Sequence, residues 1–254
     1  MKISNSARIS REFYKTTASP LDRLNYAKEL NKQFFEKLVP EFKTDKIDAD
    51  IYIKNLHEVS PPNIILQVEK NADKKQVGAV SLGTNKKSIA GYIMELPIDK
   101  NNQISIYDMD TCMHEPFHYF VEMNNPKHIA RFVSYNKHGK KDEFEKFYWE
   151  NLYSKQDKFD IKELKKNLDE FLNNLGSKQK LDFLQNSRYR LSEEKYAYEQ
   201  GNIYLDKIQD IHSDIIPHKI DGHHYEEYHF EEKIKLLNDT LRDTINTIRE
   251  NNKM

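Results

Sequence analysis

The chain reads as an α+β fold, with a small twisted and mostly antiparallel sheet followed by a mainly helical C-terminal half. Three observations predict it. Apolar residues recur at helical spacing early in the chain, β-prone runs crowd between Asp48 and Asp108, and beyond Asp110 the helical period returns and persists. Leu21, Leu24, Ala27, Leu30, Phe34 and Leu38 mark the first helix, which Ser19-Pro20 opens and Pro40 closes. DIYIKN, NIILQVEK, QVGAVSLG, SIAGYIMEL and QISIYD are then expected to be short strands, since they are rich in β-branched and aromatic residues and separated by Pro, Asn and Gly turns. In the helical half, Phe144, Phe147 and Tyr148 form an aromatic face. Ile161, Leu164, Leu168, Phe171, Leu172 and Leu175 form an apolar stripe that Gly176 stops. The final helix carries Phe230, Ile234, Leu237, Leu241, Ile245 and Ile248 in register.

With 254 residues and 37% apolar content, the chain can bury a substantial core. The expected organisation is a flexible N-terminal arm, 1–16, and a single domain, 17–254, with a β-rich part at 48–108 and a helical part at 110–251. Forty basic and forty-one acidic residues leave a formal charge of −1, which argues against a nucleic-acid partner recruited by bulk charge. The short basic run KHGKK, ending at Lys141, is expected to be a solvated turn. No window approaches the ~18 consecutive apolar residues of a membrane span, and the polar N-terminus has no apolar secretory core. A cytoplasmic protein is expected, or one exported by a specialised route without a classical signal peptide. Cys112 is the sole cysteine, so no intrachain disulfide can form, and it is expected to be a small buried hydrophobe.

One segment has a spacing that implies chemistry. His114-Glu115-Pro116-Phe117-His118 is an HExxH pattern. Two histidines one turn apart on one helix face can direct both imidazoles at a single metal ion, with Glu115 beside the remaining coordination position. Pro116 is the awkward residue, because in a helix interior proline costs about 3 kcal/mol. A helix starting near Thr111 and ending before Pro126 would keep Pro116 close to the end where amides are unpaired anyway.

Catalytic zinc sites usually have three protein ligands and one open position. The residues after His118 do not extend to HExxHxxGxxH, so the third ligand must come from elsewhere. In RLSEEKYAYEQGNIYLDKI, Ser192 is expected to cap a helix that carries Glu193 and Glu194 in its first turn and ends near Pro217. Glu194, Ala197, Tyr198, Gly201, Leu205 and Ile208 give this helix a stripe whose small residues allow a close approach to the HExxH helix. Glu194 is the leading third ligand, while Glu193, Glu199, Glu122, His128 and His212 remain alternatives.

His114-Glu115-x-x-His118 followed by Glu194-Lys195-Tyr196-Ala197 resembles the Glu-zincin (gluzincin) metallopeptidases. The resemblance implies a zincin-like fold with the sheet packed on the active-site helix, and Zn2+ held by His114, His118 and Glu194. It also implies hydrolysis of a peptide or protein substrate, with Glu115 activating a zinc-bound water. Tyr189, Arg188, Arg190 and Tyr198 are candidate donors to the negative intermediate. Zincin-like enzymes commonly align an extended substrate on an edge strand, and Gly91 to Leu96 is the expected strand. His218, His223, His224 and His229 in HKIDGHHYEEYH are expected to be wet loop histidines that could also cover the cleft. The competing reading is a non-catalytic binding or scaffold protein with a zincin-like outline.

Overall fold

The computed structural model describes residues 20–60, 65–70, 79–84, 90–123, 141–155, 158–216 and 218–251. The expected N-terminal arm, His128 and all of the basic run before Lys141 lie outside them. By compactness the chain divides into two units. One comprises Met1–His128 with Tyr196–His223, the other Ile129–Lys195 with His224–Met254.

In the first unit, α1 (Pro20–Leu38) forms as the apolar period requires, with Ala27, Leu30, Phe34 and Leu38 fully buried. Pro40 then falls in a 3-10 turn, Val39–Glu41, which ends the helix. After β1 (Lys46–Asp48), the segment DIYIKN is not a strand but part of α2 (Ala49–Val59). Its alternation of Ile51, Tyr52 and Ile53 misleads because Ile51 is exposed, whereas Ala49, Tyr52, Leu56 and Val59 recur at helical spacing and are buried. The side chain of Asp48 caps this helix by accepting from the Asp50 amide at 2.8 Å.

The remaining β-prone runs form β2 (Ile65–Lys70), β3 (Ala79–Thr84), β4 (Ala90–Leu96) and β5 (Gln103–Ser105). They make two small sheets, and two of the three strand pairings are antiparallel. β1 pairs antiparallel with β5, and a three-stranded sheet has the order β2-β4-β3, with β4 parallel to β2 and antiparallel to β3. β4 is therefore the central strand, and the expectation that Gly91 to Leu96 offers an open edge is wrong. Both of its ladders are used, and its Met94 and Leu96 are fully buried, as suits the inner strand of a covered sheet.

After a 3-10 turn at Ile106–Asp108, α3 (Met109–Met123) carries the HExxH segment and packs on β4 and β3 and against α1. It begins two residues before the expected start, which leaves Pro116 in the helix interior.

In the second unit, α4 (Lys141–Phe147) runs into a π-helical turn at Tyr148–Leu152. Asp160 caps α5 (Ile161–Asn173) by accepting from the Lys162 amide at 2.8 Å. The expected aromatic face is present: Phe147 stacks on Phe171 with centroids 4.4 Å apart, and Phe183 meets Phe171 at 4.8 Å. α7 (Phe230–Asn251) packs against α5.

A single long helix, α6 (Ser177–Ile211), runs through both units. The expectation that Ser192 caps a helix is wrong, because the helix starts far upstream. There the Gln179 side chain accepts from the Gly176 amide at 3.0 Å, which is half of a capping box. Ser192 lies mid-helix and its hydroxyl donates back to the Arg188 carbonyl at 2.9 Å. The helix also ends at Ile211, short of Pro217.

Candidate metal centre

The interior proline of α3 is accommodated by two side chains from other helices. Pro116 has no amide to give the Cys112 carbonyl, and Tyr52 Oη donates to that oxygen at 2.6 Å. Asn31 Nδ2 donates to the next carbonyl, Met113, at 2.9 Å. Tyr52 and Asn31 are both fully buried, so these donors serve a backbone that water cannot reach. The HExxH helix thus tolerates its proline through tertiary hydrogen bonds.

His114 and Glu115 are buried and His118 is half-buried. The Nε2 atoms of His114 and His118 face each other at 3.1 Å. Two imidazole lone pairs do not converge this closely unless a proton or a cation lies between them. Zn–N bonds of about 2.0–2.1 Å at the tetrahedral angle separate two nitrogens by about 3.3–3.4 Å, close to the spacing here. On α6, Glu194 brings the third donor: the ligand atoms of His114, His118 and Glu194 all lie within 4.8 Å of one another. Two imidazoles and a carboxylate are a donor set that zinc accepts.

Further along α6, Gly201 lets the helix approach α3 closely. A Cβ there would stand 2.5 Å from the Asp110 carbonyl oxygen. Ala197, Leu205 and Ile208 of the expected stripe are buried. Tyr198 is half-buried, and its ring lies 4.5 Å from that of His114. Of the other expected donors, Arg188 is bonded to Asn238 at 3.0 Å and Arg190 is paired with Glu145 at 2.9 Å. His212, an alternative ligand, instead meets the Val39 carbonyl at 3.2 Å. Among the described residues, the one group suited to hold a metal ion is His114, His118 and Glu194.

Burial governs the titration of the neighbouring groups. Desolvation pushes the Cys112 thiol well above its usual range, with the negative charges of Asp108, Asp110 and Glu115 adding to it. Cys112 is fully buried and protonated, as a core residue should be.

His223, expected in a wet loop that could cover the cleft, is partly exposed and lies beside the HExxH helix. Its Nε2 lies 3.4 Å from Asp110 Oδ2 and 3.4 Å from Thr111 Oγ1, and its ring centroid is 6.5 Å from that of His114. The side-chain amide of Asn202 grips its backbone on both sides, donating to the His223 carbonyl at 2.9 Å and accepting from its amide at 2.9 Å. Gln209, two turns on, holds Ile220 in the same way. A Cβ on Gly222 would collide with the Asn202 side chain, so this grip requires glycine. The adjacent pairs Gly201-Asn202 and Gly222-His223 were the available signal, since glycine marks where backbone must come close.

His114-Glu115-x-x-His118 with distal Glu194 is a metal-ligand cluster of the Glu-zincin type. Compared with protein-family models, curated proteins and solved structures, the chain matches none.

Proposed function

We propose that the protein is a zinc-dependent hydrolase of peptide bonds, with His114, His118 and Glu194 as metal ligands and Glu115 as general base. The convergence of three ligand atoms from two separate helices within 4.8 Å carries this reading. When bound, zinc would supply Lewis acidity toward a substrate carbonyl and a water at its open position. Glu115, next to His114 and buried, would take a proton from the attacking water and return it to the leaving amine. Tyr198, whose ring lies 4.5 Å from that of His114, would donate to the developing negative oxygen. An extended peptide would pair with β3, a sheet-edge strand that packs on α3, through main-chain hydrogen bonds.

Among the described residues no helix is long and apolar enough to cross a membrane, which agrees with a peptide or protein substrate outside the bilayer. The test is metal content of protein purified without a histidine tag or chelator, followed by hydrolysis of a peptide library. About one zinc per chain is expected in the wild type, lost in His118→Ala and Glu194→Ala, with Glu115→Gln keeping zinc and losing hydrolysis. A wild type that takes up no zinc would instead support the binding or scaffold reading.

A further inference from the structure

Glu194 is not held by its helix alone. Tyr153 Oη donates to Glu194 Oε2 at 3.3 Å, and four aromatic rings fix where that hydroxyl points. Tyr153 lies nearly parallel over Tyr148 with centroids at 6.1 Å, meets Trp149 edge-on at 5.0 Å, and packs on Tyr228 at 5.0 Å and Phe230 at 6.2 Å.

The backbone that delivers Tyr153 is unusual. Helix α4 widens at Tyr148–Leu152 into a π turn, and the Tyr153 amide bonds five residues back to the Tyr148 carbonyl at 2.8 Å. Such widened turns shift the following side chain around the helix and are concentrated at functional sites.

The Tyr148 ring beside Tyr153 is itself packed against a cation: the Arg190 guanidinium, bonded to Glu145 at 2.9 Å, lies over it at 3.8 Å. A phenol orients the carboxylate while leaving its charge in place.

From these observations we propose that Tyr153 is a positioning residue that presents Glu194 to the metal. The proposal rests on the reading of Glu194 as a ligand. Outer hydrogen bonds to a ligand typically raise metal affinity by about 10–100-fold. Tyr153→Phe removes the hydroxyl and keeps the ring with its four aromatic neighbours, so the metal-free melting temperature should stay close to wild type. Zinc affinity, measured by competition with a chelating dye, should fall about 10–100-fold. The visible absorption of the cobalt-substituted protein should shift as the carboxylate changes its binding. Tyr148→Phe is the control, because its buried hydroxyl makes no hydrogen bond among the described residues. Wild-type zinc affinity and an unshifted cobalt spectrum in Tyr153→Phe, with binding lost in Glu194→Ala, would overturn this proposal alone. Undiminished zinc binding in Glu194→Ala would overturn the ligand assignment beneath it.

Discussion

Pro116 removes one donor from α3 and obliges Tyr52 to replace it, so the two residues should be energetically coupled. Deleting the hydroxyl in Tyr52→Phe leaves the Cys112 carbonyl buried without that donor, which costs about 1–3 kcal/mol. Pro116→Ala restores an amide in helical register with the same oxygen, so Tyr52→Phe should cost clearly less in that background. Urea denaturation of the four proteins measures the coupling, expected at about 1 kcal/mol or more. Equal costs in both backgrounds would show that Tyr52 does not compensate the proline. Gly201 offers a second test. Alanine in a helix interior normally gains up to about 1 kcal/mol over glycine. Here the added methyl meets the Asp110 carbonyl oxygen at 2.5 Å, and backbone must move. Gly201→Ala should therefore destabilise by about 1–3 kcal/mol despite its better propensity. A melting temperature equal to or above that of the wild type would argue against the tight approach of α6 to α3.

Elements with a long, regular apolar period were legible in the sequence, and those resting on short or local signals were not. Ala27, Leu30, Phe34 and Leu38 of α1, Leu164, Leu168 and Leu172 of α5 and Phe230, Leu237 and Leu241 of α7 are buried as the period requires, although Ile161 is exposed. DIYIKN failed because three residues cannot separate a period of two from one of 3.6, and the Asp48 cap decided for the helix. Ser192 failed because a serine before two glutamates looks like a cap only if nothing upstream is already helical. The clamp between α6 and the segment 220–223 could not be read at all, since two amides on a helix reveal no distant backbone partner. It makes its own prediction. Asn202→Ala removes both hydrogen bonds to the His223 backbone, and amide exchange at His223 should speed up by about tenfold or more, on the order of 1.4 kcal/mol. The Ile220 amide, held by Gln209, should keep most of its protection. Unchanged exchange at His223 would mean that the clamp does not fix the loop.

At the scale of the whole molecule, the candidate metal ligands were legible because each obeys a helical rule: HExxH is four-residue spacing on one helix, and Glu194 shares a stripe with Ala197 and Gly201. Their packed neighbours, Tyr52, Asn31, Tyr153 and His223, were not, because each comes from a segment remote in sequence, and chain pattern does not encode which remote segments meet. Lys233 shows the same limit for stability. The pattern places Ile234 in the apolar register of α7, yet Lys233 is fully buried beside it, donating to the Ser154 carbonyl at 3.0 Å with Nζ 5.5 Å from the centre of the Phe159 ring. Desolvation lowers its pKa from 10.5 to about 8. In the native state the amine therefore loses its proton near pH 8, whereas the unfolded chain keeps it to about 10.5. Between these values the unfolded state binds more protons, so stability must rise with pH across the window. The full cost of charging the buried amine is present below pH 8. At 1.36 kcal/mol per pKa unit, the contribution is on the order of 3 kcal/mol. Lys233→Met, which keeps the bulk without the charge, should flatten the rise. Urea midpoints at pH 7 and 9.5 for both proteins test this, and an equal rise in the two would assign the effect to other groups.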